Sequence, residues 1–71
     1  MEKIKLGSLC LTKNKKSFDY HNKVYVIEKG VLVTVCDDEN IKEGYVLVEI
    51  EGYDTVFDYN IEELLIVKNY L

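Results

Sequence analysis

The stretch YVLVEIEGYDTVFDY, residues 45–59, decides the fold because it has the pattern of a β-hairpin. Residues 45–50 and 55–59 have the period-two spacing of strands, and Gly52 between them can take the positive φ of a tight turn. A loop of two residues or of four keeps Ile50 opposite Thr55, so the assignment of faces does not depend on loop length. The face predicted for the core consists of Val46, Val48, Ile50, Thr55, Phe57 and Tyr59.

Upstream of this hairpin, the sequence predicts three further strands separated by polar segments. Residues 4–12 (IKLGSLCLT) are closer to a period of two than to the period of a helix. Residues 23–28 (KVYVIE) form the next strand, and the continuous apolar run 31–36 (VLVTVC) is typical of a well-buried one. The polar segments 13–17 and 37–44 are predicted loops.

Downstream of the hairpin, a capping signal predicts one helical turn. Asn60 is a candidate N-cap and Glu63 follows it at the spacing of a capping box, so residues 61–65 (IEELL) are predicted to turn once before a last strand at 65–68. The chain has no Pro or Ala but has 23 Val, Ile and Leu residues, a composition that favours strands.

The tripeptide Phe-Asp-Tyr occurs twice, at residues 18–20 and 57–59. The segments between the two copies have no counterparts, and repeat architectures need about three units to bury a core. We therefore interpret the likeness as two strand ends that place two aromatic rings on one face and an aspartate in water, in preference to a duplicated unit.

The order of these features resembles that of the small bacterial SH3-like barrels. The matching segments are IEKGVLVTV, GYVLVEI, TVFDY and NIEELLIV, between residues 24 and 68. The resemblance implies an all-β, SH3-like barrel of five or six short antiparallel strands, with one helical turn near residues 60–64, in a single domain over residues 1–71. It does not imply the proline-peptide binding of eukaryotic SH3 domains, whose groove depends on a Trp that this chain lacks.

Candidate catalytic and metal-binding residues are few. His21 is the only histidine, Cys10 and Cys36 lack CxxC spacing, and the carboxylates of residues 37–44 lack the spacing of a calcium loop. Asp37 and the acids after it would raise the pKa of the preceding cysteine, which disfavours a nucleophilic thiol. The sequence therefore predicts a protein that is not an enzyme, with no cofactor and no bound metal.

A small basic cluster offers an alternative function. Lys13, Lys15 and Lys16 could meet a phosphate, and Tyr20 could stack on a base. The chain has no Arg and a net charge of −4, which argues against nucleic acid as a partner. A small ligand or nucleotide that needs only a local basic spot stays open.

The predicted hairpin also presents an outer face with apolar residues among acids. The residues that the alternation turns outward are Tyr45, Leu47, Glu49, Val56 and Asp58. Apolar contact within a charged rim is common at protein interfaces, whereas the ordinary alternative is that residues 1–12 or a loop cover this face.

Charge is unevenly distributed along the chain and indicates the kind of partner. Residues 1–23 hold six lysines and two acids, a net +4, and residues 24–71 hold three lysines and eleven acids, a net −8. We therefore expect a protein-binding module, an inhibitor or adaptor that covers a partner's basic surface, with a structural homo-oligomer as a further alternative. The lack of a signal-peptide core and of a membrane span predicts a cytoplasmic protein, and the Lys, Asn, Ile and Tyr usage predicts a bacterial or phage source.

Overall fold

The computed structural model describes residues 3–69, which form seven strands and two 3₁₀ turns and confirm the all-β class. The strands are β1 (Ser8–Thr12), β2 (Lys16–Tyr20), β3 (Lys23–Ile27), β4 (Leu32–Asp37), β5 (Tyr45–Glu49), β6 (Val56–Asn60) and β7 (Leu64–Asn69). The first 3₁₀ turn is Ile41–Glu43 and the second is Ile61–Glu63. Neither turn is long and apolar enough to cross a membrane, and residues 3–69 hold no other helix.

Five of the strands form one antiparallel sheet in the order β6-β5-β4-β1-β7, and β2 and β3 form a separate hairpin. The edge strands β6 and β7 do not pair with each other, so the sheet is not closed into a barrel, unlike the SH3-like barrel that the resemblance implied. The seven strands also exceed the five or six predicted. The additional strand is β2, which begins at Lys16 inside the predicted loop 13–17.

The β2–β3 hairpin forms because the chain reverses in two residues. His21 and Asn22 have φ values of 52° and 65°, the conformation of a type I′ turn, which matches the twist of the strands on either side. Phe18 and Ile27 face inward and are buried, whereas Val24 on the opposite face is 70% exposed. The hairpin therefore covers one side of the core.

The β5–β6 hairpin confirms the predicted faces. Regular pairing ends at Glu49 and Val56, and the Tyr53 N–H donates to the Ile50 C=O over 3.1 Å in the loop that follows. Gly52 has a φ of 92°, as the turn requires. Thr55 is half-buried, and the other residues of the predicted core face are buried.

The strand β4 is less buried than the well-buried strand that its apolar run predicted. Val33 and Val35 are buried, but Leu32 is 51% exposed and Thr34 is exposed. The prediction was wrong because a continuous apolar run does not reveal that one face of the strand lies on the outside of the sheet. The core consists of Cys10, Phe18, Ile27, Val33, Val35, Val46, Val48, Ile50, Phe57, Tyr59 and Leu64.

The second 3₁₀ turn has the predicted capping box. The Asn60 side chain accepts a bond from the backbone of Glu63, and the Glu63 carboxylate accepts one from the Asn60 N–H over 2.9 Å. The Lys13 N–H donates to the Glu63 C=O over 2.9 Å and ties this turn to the end of β1.

The base of the β2–β3 hairpin is held by the buried side chain of Thr12. Its hydroxyl donates to the Glu28 C=O over 2.7 Å and accepts from the Val31 N–H over 2.9 Å. The Gly30 N–H donates to the Thr12 C=O over 2.8 Å. These bonds fix where the hairpin leaves and rejoins the sheet.

Candidate binding surface

The five outward residues of the β5–β6 hairpin lie together on the outer face of the sheet. Leu47 is the cross-strand partner of Asp37 on β4 and of Asp58 on β6, and cross-strand partners share a face. Val56, which is 41% exposed, lies opposite Glu49. Leu47 and Val56 are thus bordered by three carboxylates. We call these carboxylates, those of Asp37, Glu49 and Asp58, the acidic patch. Tyr45 is half-buried at the start of β5, opposite Asn60.

A second apolar surface lies on the other half of the same outer face and was not predicted. Leu11 on β1 is the register partner of Leu32 on β4 and of Leu65 on β7. Leu32 is 51% exposed and Leu65 is 55% exposed, and Leu9 lies two positions from Leu11 on the same face. We call Leu11, Leu32 and Leu65 the leucine row.

The leucine row follows from an inverted alternation in β1. Ser8 and Thr12 are buried, while Leu9 and Leu11 face outward and are only half-buried. Most buried polar groups are hydrogen-bonded, and the Ser8 hydroxyl accepts from the Lys5 N–H over 2.9 Å. The period-two pattern of residues 4–12 contained this signal, because it placed the leucines opposite the serine and threonine. Only the register with β4 and β7 reveals the row.

The residues of the predicted basic cluster do not converge on one open site. Lys16 is half-buried on β2, its Nζ 2.8 Å from Glu63 Oε1 and about 5 Å from the ring centres of Phe18 and Tyr59. Lys15 Nζ lies 3.8 Å from Glu28 Oε2 at the surface, and Lys13 is exposed in the loop. The ligand-binding alternative stays a prediction.

Tyr20, the aromatic member of that cluster, contacts the edge strand β6. Its hydroxyl donates to Asp58 Oδ1 and accepts from the Asp58 N–H over 3.4 Å, while Lys16 Nζ donates to the Asp58 C=O over 3.3 Å. Burial, and next the hydrogen bond to Asp58, raise the pKa of Tyr20. The side chains of β2 therefore cap the free edge of β6 at Asp58, which blocks pairing with another strand there.

The candidate catalytic residues lie apart. His21 is exposed in the β2–β3 turn. Cys10 and Cys36 are free thiols, and the Cys36 Sγ donates to the Leu47 C=O over 3.5 Å. Burial raises the pKa of both thiols, which keeps them protonated at neutral pH. Within residues 3–69, no three His, Cys, Asp or Glu side chains form a group that could hold a metal ion.

Comparison of the chain with protein-family models, with curated proteins and with solved structures gives no match. The functional assignment therefore depends on the geometry of the chain itself, and above all on the outer face of the five-stranded sheet.

Proposed function

We propose that the chain is a non-catalytic protein-binding module that covers a basic surface of its partner with the outer face of its sheet. The observation that carries the proposal is the inverted alternation of β1, which buries Ser8 and Thr12 and turns Leu9 and Leu11 outward. A strand with one face in water normally has the opposite arrangement. Such an inversion is useful when the outer face is covered by another molecule.

The order of elements supports an SH3-like assignment. A hairpin arm leads to Gly30 and strand β4, a charged segment precedes the β5–β6 hairpin, and a single 3₁₀ turn precedes the last strand. This is the order on which the resemblance to SH3-like domains depends. The assignment concerns the scaffold, and the function depends on the residues of the outer face.

The two halves of the outer face have complementary roles in the proposed contact. The leucine row supplies apolar area on β4, β1 and the edge strand β7, and the acidic patch lies beside it on β4, β5 and β6. Apolar area next to charged groups is a common combination at protein interfaces. The carboxylates of Asp37, Glu49 and Asp58 favour a partner that carries lysine or arginine at the matching position.

The proposal is tested by affinity purification from the native host, with tagged variants of the chain as baits. Leu32→Lys places a charge in the leucine row, and Glu49→Lys reverses one charge of the acidic patch. The matched controls are Val24→Lys, at an exposed valine on the β2–β3 hairpin, and Glu51→Lys, at an exposed acid outside the patch.

We expect one polypeptide to purify in stoichiometric amount with the unmodified chain and with both controls. It should be lost with Leu32→Lys and weakened with Glu49→Lys. Raising salt from low to physiological concentration should weaken it further, because charge pairs at the border of an interface are screened. A partner that is retained by Leu32→Lys but lost with Val24→Lys, or that is indifferent to salt, would contradict the proposal.

Self-association is a second candidate because the leucine row carries no charge and can therefore meet a copy of itself. Sedimentation velocity of the purified chain tests it directly. A dimer that Leu32→Lys converts to a folded monomer would support the homo-oligomer, whereas a monomer at all concentrations would exclude it.

A further inference from the structure

An apolar cleft of about 770 Å³ lies beside the edge strand β7 and meets the outer face at Leu65. Its walls come from the N-terminal segment, both 3₁₀ turns and β7, and most of its lining is aliphatic. The apolar lining residues are Ile4, Ile41, Ile61, Leu64, Leu65 and Ile66. The volume lies within the range of about 300–1,000 Å³ typical of pockets that hold a small ligand.

The free edge of β7 borders this cleft. Leu64, Leu65 and Ile66 all line it, and consecutive side chains of a strand point to opposite faces. Three consecutive residues can line one cleft only where the edge of the strand faces it. Since β7 pairs with β1 alone among the strands of residues 3–69, its other edge borders the cleft in this part of the chain.

The hydrogen-bond pattern identifies which backbone groups are presented there. The Lys13 N–H donates to the Glu63 C=O, and hydrogen-bonded pairs alternate along an antiparallel ladder. Leu11 and Leu65 therefore form the next hydrogen-bonded pair, and the N–H and C=O of Ile66 point away from β1. Within residues 3–69 these two groups have no backbone partner.

The two edges of the sheet are thus treated differently. The backbone of Asp58 on β6 is capped by Tyr20 and Lys16, a common protection of edge strands against unwanted pairing. The edge of β7 has an apolar cleft in place of a cap. An open edge beside apolar pockets is the arrangement that binds peptides by strand addition, in which main-chain bonds give affinity and pockets for alternate side chains give specificity.

We propose that this cleft binds a short extended segment of another polypeptide, which adds to the edge of β7 as a sixth strand. Alternate apolar side chains of the segment enter the cleft, and its backbone exchanges hydrogen bonds with Ile66. Lys3 and Lys42 lie on the rim with a single acid, Glu62, so an acidic side chain or a C-terminal carboxylate beside the apolar residues completes the match. This site shares Leu65 with the leucine row, but the other cleft residues lie outside that row and the proposed occupant is different.

A short segment fits better than the edge of a second copy. Residues 3 and 4 and both 3₁₀ turns line the cleft together with β7, so an incoming strand has to fit among them. A strand that already belongs to a sheet would have to bring its neighbouring strands into the same space. A single extended segment has no neighbouring strand to accommodate. The cleft has the volume of a pocket for a small ligand, which suits a few side chains of such a segment.

A displayed library of random nonapeptides, selected against the purified full chain, tests the proposal. We expect enrichment of peptides with apolar residues at alternate positions and an acid next to them. N-methylation of each backbone amide in an enriched peptide should weaken binding about fivefold at alternate positions and have little effect between them, because a strand pairs through every second residue. An N-methylation profile without this alternation would overturn the proposal.

Two variants assign the site on the protein. Ile66→Pro removes the outward N–H of the edge without breaking a bond to β1, and proline is tolerated at such edge positions. It should weaken binding by about fivefold or more. Lys3→Glu with Lys42→Glu should replace the preferred acid of selected peptides by a base, whereas the matched surface pair Lys13→Glu with Lys29→Glu should leave the preference unchanged.

Each result separates this site from the outer face. Selected peptides that still bind the Lys3→Glu, Lys42→Glu chain with an unchanged acidic preference, but fail to bind Leu32→Lys, would place binding on the outer face and overturn the cleft proposal. Failure of the library to enrich any peptide would also overturn it and would leave the outer-face proposal untouched. Ile66→Pro is interpreted only if its thermal unfolding remains cooperative, and the lysine variants decide the matter if it does not.

Discussion

The two hairpins of the molecule contain the same tripeptide but are attached to the core in different ways. In β5–β6, Phe57 and Tyr59 lie on a strand joined to the sheet through the backbone ladder of β5 with β4. In β2–β3, Phe18 and Tyr20 lie on a strand whose sole backbone partner within residues 3–69 is β3. Phe18 packs 5.0 Å from Phe57 and 5.3 Å from Tyr59, measured between ring centres. The two similar segments therefore face each other across the core.

The difference shows how much a hairpin depends on side chains when it lacks a ladder to the main sheet. A two-stranded hairpin alone is marginal in water. Here it is held by Phe18 and Ile27 in the core, by the ion pair of Lys16 with Glu63 and by the Tyr20 hydroxyl on Asp58. We expect β2–β3 to open locally at lower free energy than β5–β6.

The largest expected effect comes from the aromatic ring that both hairpins share. Phe57 is fully buried and lies 5.0–5.9 Å, between ring centres, from Phe18, Tyr20, Tyr25 and Tyr53. Phe57→Ala should lower the free energy of unfolding by about 4 kcal/mol, measured by urea denaturation. A loss below about 1.5 kcal/mol would mean that the site refills and that the aromatic cluster is not the centre of the core.

Phe18→Ala should separate the two hairpins. We expect a loss of about 3 kcal/mol, because Phe18 is 6% exposed and its ring bridges the hairpin to β6. In native-state hydrogen exchange, amides of residues 16–27 should lose protection before those of residues 45–60. Equal loss in both hairpins would show that they open as one unit.

The corresponding tyrosines of the two segments provide a test with pH. The Tyr59 hydroxyl is buried without a hydrogen-bond partner in the described chain, and burial, followed by the charge of Glu63 and by Tyr20, raises its pKa to about 12. The folded-state pKa lies above the ordinary value of about 10, so its contribution to stability is complete below pH 10 and is lost as the pH rises through 12.

Tyr59→Phe should therefore change the free energy of unfolding by less than about 0.5 kcal/mol at pH 7. Between pH 7 and pH 11, the unmodified chain should lose about 1.4 kcal/mol of this free energy relative to Tyr59→Phe. Tyr20→Phe is the control, since it removes a hydroxyl that is bonded to Asp58 and should be destabilising at pH 7. The measurement is urea unfolding at both pH values. Parallel pH profiles of Tyr59→Phe and the unmodified chain would contradict the assignment.

The smallest expected effect compares two lysines at the start of the β2–β3 hairpin. Lys16→Met keeps an apolar stem over Phe18 and Tyr59 but removes the half-buried ion pair with Glu63, and should cost about 1 kcal/mol. Lys15→Met removes an exposed pair at 3.8 Å and should cost less than about 0.5 kcal/mol. Equal values in thermal unfolding would show that Lys16 does not attach the hairpin.

What the sequence predicted well is what neighbouring residues determine. The faces of β5–β6 follow from the spacing of Val46, Val48 and Phe57, and the capping box follows from Asn60 and Glu63, three positions apart. These features depend on local periodicity and turn chemistry, which a single sequence contains.

What it did not predict depends on register between distant segments. The side chain of Lys16 covers the rings of Phe18 and Tyr59, and Tyr59 is 43 positions away along the chain. The sequence shows only the charge of Lys16, which is typical of a loop. The leucine row needs Leu11 to meet Leu32 and Leu65, and the cleft needs isoleucines from four separate segments. No local sequence pattern predicts these contacts between distant segments.

The hydrogen bonds of Thr12 with Glu28 and Val31 make the tip of the β2–β3 hairpin a site for engineering. Thr12 fixes the base of the hairpin, while His21 and Asn22 at the tip are exposed. An insertion at the tip loses the two-residue type I′ turn, but beyond that loss each doubling of loop length costs only about 0.6 kcal/mol. A foreign peptide inserted between His21 and Asn22 should therefore be displayed at a fixed position by a carrier of only 71 residues.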